Sequence, residues 1–415
     1  MGNITFIAPQ EWLYSRVQRL YQSTEKSKEF NDNKSSLSCI LIDVHDGVLT
    51  MQSECISSTT SVIVDDLEIS GDGQYMIQAH NIMDIIKYIP KDAQVKVTYI
   101  AESDDANNSG DIIVSTVDGD DMTFRTVDVP IESDDSVPHA LVDIPEKIPR
   151  IRVEVSELTK KYKLGSSMAK SIDSDQMAGA DPLSACAVFI DKSGLHMFSL
   201  FIGASYFNIT SDDIEIIDKT KKIILTDIQT TVACIATFSD NYDVDVFIDK
   251  DKMLYIADDD TVVAINSINI GEVNNSVTIK PVINMFNNMF KHIVVHTDVN
   301  AGTFFQSMSR IRNGIDYESF MHIGGNSIDV STQSHGRSVF KQSIPSRNQW
   351  IEDDDSLNAK LNAAYLRKTQ GLGKDDDGNT HYSFAVKDGS PWGIIAYNKE
   401  DFDEKNPTNF FLFPA

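Results

Sequence analysis

QYMIQAHNIMDIIKYIPKDAQVKVTYI, residues Gln74 to Ile100, sets the reading of the whole chain. It reads as a strand (Gln74–Ala79), a helix (Asn81–Pro90) and a second strand (Val95–Ile100), and two further strands, Asp111–Val117 and Met122–Val127, complete a meander. The same order returns as strand Lys221–Thr226, helix Asp227–Phe238 and strands Val244–Ile248, Met253–Ala257 and Thr261–Ile268. It returns again as Leu357–Leu361, helix Ala363–Gly371 and Tyr382–Val386, Trp392–Tyr397 and Phe410–Phe413. The helix starts lie 146 and 136 residues apart. That period is far above the roughly 20 to 50 residues of solenoid repeats and close to the size of one domain.

The intervening sequence follows the same grammar. Ile4–Ala8, a helix from Gln10 to Thr24 and strands Leu37–Val44, Val48–Glu54 and Ser58–Asp65 precede the first copy, with Asp46-Gly47 turning a hairpin. Ile151–Val155, helix Ser156–Ile172, with Ser156 as N-cap, and strands Ala185–Ile190, Leu195–Phe201 and Tyr206–Thr210 precede the second. His292–Val299, helix Ala301–Asn313 and strands Ser319–Ile323, Ser327–Thr332 and Arg337–Ile344 precede the third. The expected class is α+β: three domains, 1–145, 146–284 and 285–415, each made of two strand-helix-three-strand half-units. Acidic, proline-bearing sequence from Pro130 to Pro149 marks the first boundary, and Asn274 to Phe290 the second.

Charge separates function classes. The chain carries 36 Lys+Arg against 62 Asp+Glu, a net charge of −26, with a pI near 4.6. An acidic exterior favours solubility and repels nucleic acid, so any role on DNA requires cations gathered on one surface. The helices supply them: Arg16 and Arg19 on the first, Lys160, Lys161, Lys163 and Lys170 on the third, Arg310 and Arg312 on the fifth, Arg367 and Lys368 on the sixth. The second carries Lys87, and the fourth, Asp227–Phe238, carries none, so its Cys234, Ile235 and Phe238 read as core. Read one way, these are ordinary solvated helix surfaces; read the other, they form a helix-lined surface for phosphates without base readout.

Catalytic and metal chemistry find little support. Cys39, Cys55, Cys186 and Cys234 show no CxxC spacing and read as buried free thiols of a reducing compartment. Asp375-Asp376-Asp377-Gly378 lacks calcium-loop ligand spacing, and Asp118-Gly119-Asp120 sits where a hairpin must turn. The histidines form no HExxH, and neither a GxSxG elbow nor a GxxxxGK[ST] phosphate loop occurs. The reading is no enzyme, no metal and no cofactor, with a metal-dependent nuclease built on an acidic cluster as the catalytic alternative. No apolar run approaches about 18 residues, and no secretory leader is evident, so a soluble cytoplasmic protein with no membrane partner is expected.

Two half-units per domain and three domains per chain resemble the bacterial-type DNA polymerase sliding clamp, the β subunit family. Ile40-Leu41-Ile42-Asp43 with Asp46-Gly47-Val48-Leu49-Thr50-Met51 is similar to that family's first hairpin. Ile89-Pro90-Lys91-Asp92-Ala93 before Val95-Lys96-Val97 is similar to its second helix and the strand after it, and Phe410-Phe411-Leu412-Phe413-Pro414-Ala415 to its C-terminal strand and tail. The likeness implies a head-to-tail homodimer closing a ring, helices inside and sheets outside, that encircles double-stranded DNA and tethers a DNA polymerase. An ATP-dependent clamp loader would open it, and the length and acidic insertions suggest a divergent member, as from a bacteriophage. By position the resemblance assigns a cleft for polymerase and other clamp-binding peptides to Phe201, Gly203, Tyr206, Phe411, Leu412, Phe413 and Pro414, although Phe410–Phe413 also reads as a buried edge strand. Leu200-Phe201-Ile202-Gly203-Ala204-Ser205-Tyr206 replaces the polar segment usual before that cleft. The alternative to a clamp is an acidic, repeat-built structural or assembly protein that encircles no DNA.

Overall fold

The computed structural model describes residues 3–25, 36–101, 110–117, 121–125, 142, 144, 148–169, 185–200, 203–216, 223–249, 253–268, 288–311, 317–335, 337–351, 355–360, 363–399 and 409–414. The order strand, helix, three strands runs through it six times. The first module is β1 (Ile4–Pro9), α1 (Gln10–Gln22), β2 (Cys39–His45), β3 (Val48–Glu54) and β4 (Ser58–Val64), followed by a short β5 (Glu68–Ser70). The second is β6 (Gly73–Gln78), α2 (Ala79–Lys87), β7 (Gln94–Ala101), β8 (Gly110–Thr116) and β9 (Asp121–Arg125). The third is β10 (Arg150–Glu154), α3 (Val155–Gly165), β11 (Ala185–Asp191), β12 (Gly194–Leu200) and β13 (Ala204–Ile209), then β14 (Ile214–Glu215). The fourth is β15 (Ile224–Asp227), α4 (Ile228–Ile235), β16 (Asp243–Ile248), β17 (Met253–Ala257) and β18 (Thr261–Asn266). The fifth is β19 (Ile293–Asn300), α5 (Ala301–Arg310), β20 (Tyr317–Gly324), β21 (Ser327–Ser334) and β22 (Arg337–Trp350). The sixth is β23 (Ser356–Lys360), α6 (Ala363–Lys368), β24 (Asn379–Lys387), β25 (Ser390–Tyr397) and β26 (Phe410–Pro414).

Three expectations are corrected. Ser156 is not an N-cap: the helix opens at Val155, and the Ser156 hydroxyl inside its first turn donates to the Glu154 carboxylate. That helix ends at Gly165 rather than Ile172, and residues 170–184 lie outside the described set. β22 runs to Trp350 because it serves two pairings, Arg337–Pro345 against β21 and Ser346–Trp350 against β19. The Asp46-Gly47 turn is as expected, with φ of 51° and 80°, the positive pair that a two-residue hairpin requires.

The chain divides into two compact units, Met1–Thr159 with Ile190–Gly194 and Ser211–Ile268, and Lys160–Phe189 with Leu195–Thr210 and Asn269–Ala415. In the first, the five-stranded sheet runs β5-β1-β7-β8-β9 and the nine-stranded sheet β14-β10-β16-β17-β18-β4-β3-β2-β6. Leading strands are exchanged between modules: β1 pairs β7 and β6 pairs β2, so neither module completes its sheet alone. Helices α1 and α2 bury Leu13, Val17 and Leu20, and Ala79, Ile82 and Ile86, at helical spacing on one shared core. In the second unit the strand order includes β11-β12-β13-β26-β25-β24-β19-β22-β21-β20-β23, with β19 exchanged onto β24 and β23 onto β20. Phe304, Met308 and Leu366 of α5 and α6 meet Phe384, Ile394 and Phe411 from that sheet.

Third strands of the modules also pair. β4 of the first module pairs with β18 of the fourth, and β13 of the third with β26 of the sixth. The backbones approach closely at the second seam: a Cβ on Gly203 would stand 2.4 Å from the Leu412 carbonyl oxygen. All four cysteines are free and buried.

Candidate nucleic-acid interface and peptide cleft

Spacing of three residues puts Arg16 and Arg19 on one side of α1, and the β4–β18 seam brings an acidic turn to meet them. The Arg16 guanidinium holds Asp260 at 2.7 Å, with Nε 3.0 Å from the second carboxylate oxygen, while Trp12 Nε1 donates to the same group at 3.0 Å. Burial pushes the Asp260 carboxyl up, but hydrogen bonds from Arg16, Thr261 and Trp12 outweigh it and hold it below the usual range. Arg19 is 4% exposed, pairs with Asp258 at 2.5 Å, donates from Nε to the Thr237 carbonyl and lies 4.1 Å over the Phe238 ring. Both arginines were expected to face phosphate. The structure instead closes them against their own unit, because the acids of the β17–β18 turn reach them first. Cys234, Ile235 and Phe238 of the helix without cations and the turn after it are buried, as expected.

On α3 the cations divide. Lys160 and Lys163 are exposed, whereas Lys161 is 8% exposed and donates to Asn409 Oδ1 at 3.1 Å. Asn409, at φ 60°, also accepts from the Asn208 backbone N–H and donates to its side chain at 2.8 Å, so Lys161 belongs to an anchor at the head of β26, a second correction. Arg310 is exposed at the end of α5. Arg367 is half-buried; Lys368 is exposed as a residue, but its Nζ donates to the Ser167 carbonyl, and burial lowers its pKa. Lys170 and Arg312 lie outside the described residues. The exposed helix cations, Lys160, Lys163, Arg310 and Lys87, are point charges suited to phosphate rather than to reading base edges.

The expected cleft is mostly closed. Phe411, Leu412 and Phe413 are at most 4% exposed, and β26 pairs with β13 on one side and β25 on the other. It is thus an internal strand, neither an open cleft wall nor an edge. Gly203 is buried at the seam, Pro414 continues the β25 pairing opposite Gly393, and Phe201 lies outside the described residues. Tyr206 is the half-buried member. Its hydroxyl lies 3.0 Å from His196 Nδ1, and its ring meets His196, Phe198 and Phe410. His196, stacked on Phe189 at 4.5 Å, was missed in the sequence, where a lone strand histidine carries no sign of its aromatic neighbours.

The nearest approach to a catalytic set is His381, 2% exposed, with Nδ1 2.7 Å from Asp298 and Nε2 3.1 Å from Asp375 at an angle that makes no hydrogen bond. Ser383, 1% exposed beside His296, is closed to any substrate. Among the described residues no group of three or more His, Cys, Asp or Glu is placed to hold a metal, and no helix is long and apolar enough to cross a membrane.

Six modules with exchanged leading strands and third-strand seams define the fold of the bacterial DNA polymerase sliding clamps. The structure is similar along its whole length to a DnaN sliding clamp, DNA polymerase III subunit β, of Pseudomonas aeruginosa bound to griselimycin (TM-score 0.73, 12% identity, 100% of this chain and 99% of that one). It is similar to the DNA polymerase sliding clamp of Bacillus subtilis (0.73, 14%, 100% and 99%) and to a DNA polymerase III β subunit, so described provisionally, of Eubacterium rectale (0.71, 14%, 99% and 98%). No family model and no curated relative matches the sequence.

Proposed function

We propose that the chain is a DNA sliding clamp: a non-enzymatic processivity factor that encircles duplex DNA without sequence readout and tethers a polymerase. The observation that carries this reading is the use of the third strands. β4–β18 and β13–β26 join modules one to four and three to six, whereas β9 ends its sheet, and Arg337–Ile344 of β22 is paired on the β21 side alone among the described residues. Those two free edges belong to modules two and five. Grouping the modules as domains 1–145, 146–284 and 285–415 makes each seam join the first half of one domain to the second half of the next. A second copy continues the rule, β22 of one copy meeting β9 of the other, and two such contacts close a six-domain homodimer. Lys160 and Lys163 then supply weak phosphate contacts inside the ring, which permit sliding, while the acidic exterior repels DNA.

A cytoplasmic protein opened by an ATP-dependent loader and serving a polymerase through clamp-binding peptides completes this reading, with Tyr206 the most accessible part of the cleft assigned by position. The test is retention on nicked circular DNA after loading, with and without linearisation. Retention on circles that is lost on cutting supports a clamp. Equal behaviour on both forms, or none on either, supports the acidic assembly protein.

A further inference from the structure

The two seams inside the chain are built by the same helix positions, and the third position of the series is left open. Counted from the helix start, Arg16 is the seventh residue of α1 and Lys161 the seventh of α3. Arg16 grips Asp260, the residue before β18, and Lys161 grips Asn409, the residue before β26. The tenth residues behave alike. Arg19 lies over Phe238 and donates to the Thr237 carbonyl just past the end of α4. Leu164 packs at the end of α6, its Cδ2 2.6 Å from the place of a Cβ on Gly371. In each seam, therefore, the first helix of one domain plants its tenth side chain on the end of the second helix of the next.

On α5 the tenth residue is Arg310, which is exposed and makes no ion pair among the described residues. The matching helix end is that of α2. Thr237 and Tyr88 are both the tenth position from their helix starts, and both helices begin fifteen residues before the following strand. Tyr88 is 79% exposed, the most exposed large hydrophobic side chain among the described residues, and Lys87 Nζ lies 5.9 Å from its ring, a long contact. An exposed aromatic ring on a helix C-terminus, where carbonyls lack intrahelical partners, is a site for a guanidinium.

We infer that Arg310 is not a DNA contact but the seam residue between copies, docking on the end of α2 of a second copy against the Tyr88 ring and its carbonyl. This rests on the two-copy ring proposed above. The test is light scattering over a dilution series on the full-length chain, wild type, Arg310→Ala, Tyr88→Ala and the double variant, with far-UV circular dichroism to check folding. Each single change is expected to weaken self-association about threefold to thirtyfold per interface. The double variant is expected to be no weaker than the worse single one, since both remove the same interaction. Lys160→Ala with Lys163→Ala is expected to leave association unchanged. A wild-type dimer indifferent to both changes, or effects that multiply in the double variant, overturns the inference and leaves the ring standing. A wild type that stays monomeric at every concentration rejects the stable two-copy ring itself, and the inference with it.

Discussion

Replacing Asp260 by Ala removes the acceptor on which the β4–β18 seam converges. Its carboxylate receives Arg16 through Nε and a second guanidinium nitrogen, the Trp12 indole N–H and the Thr261 hydroxyl, and both ion-pair side chains are 16% exposed. A hydrogen bond to a charged group contributes about 1.5–3 kcal/mol, and stranding one member of a fully buried pair costs about 3–5 kcal/mol. Partial exposure lets water reach Arg16 and reduces the second figure, so a loss of about 2–4 kcal/mol is expected. At roughly 2–4 °C per kcal/mol for a unit of this size, the melting temperature falls by about 5–15 °C. Urea and thermal unfolding of both proteins measure this. The pH dependence adds a check of sign. Because the folded carboxyl is held low, its stabilisation is complete above the unfolded value of about 3.9 and is lost as pH falls through the lower folded value. The difference between the proteins should therefore be constant from about pH 5 to 8 and shrink only below about pH 4. A cost under about 0.5 kcal/mol at neutral pH, or a difference that persists undiminished at pH 2, would refute the reasoning.

Three other outcomes follow from the same geometry. Lys160→Glu with Lys163→Glu should leave the fold intact and lower the salt slope of DNA binding by about 0.9 for each phosphate no longer neutralised, measured by binding across a salt series. Gly203→Ala should cost about 1–3 kcal/mol in chemical unfolding, since its Cβ meets the Leu412 carbonyl 2.4 Å away and the seam backbone must shift. Deleting Leu412 to Ala415 should unfold the sheet of the second unit rather than remove a peptide-binding tail alone, because Leu412 pairs on both sides; disappearance of the near-ultraviolet circular dichroism would report it.

The fold was legible because strand and helix periodicities are local. The stretch from Gln74 to Ile100 shows a strand, a helix and a strand within a residue or two of β6, α2 and β7, with the helix starting two residues early. The seams were not legible, because they depend on which residues fold together. Arg16, Arg19 and Lys161 look in the sequence like solvated helix cations, and their partners stand more than 230 residues away, at Asp260, Asp258 and Asn409. One clue was present and misread: Asp258-Asp259-Asp260 counted as loop acid, when three carboxylates at a tight turn call for cations nearby. Phe410–Phe413 looked like a tail because it ends the sequence, yet a run of aromatic residues that long is what a strand buried on both faces requires.

The division of the cations also bears on how a ring of this kind would hold DNA. If every helix cation met phosphate, affinity for DNA would rise steeply with each one, and a protein meant to move would stick. In this chain the cations at the seventh and tenth helix positions close seams, and the ones left exposed on α3, Lys160 and Lys163, are isolated point charges on flexible stems. Seam and sliding surface are thus taken from the same helices but from different positions. A rigid frame comes from buried or half-buried pairs that salt screens little, and weak attraction comes from exposed lysines that salt screens strongly. Retention on closed DNA then depends on the integrity of the seams more than on charge. Raising salt should release the phosphates before it opens the β4–β18 and β13–β26 junctions.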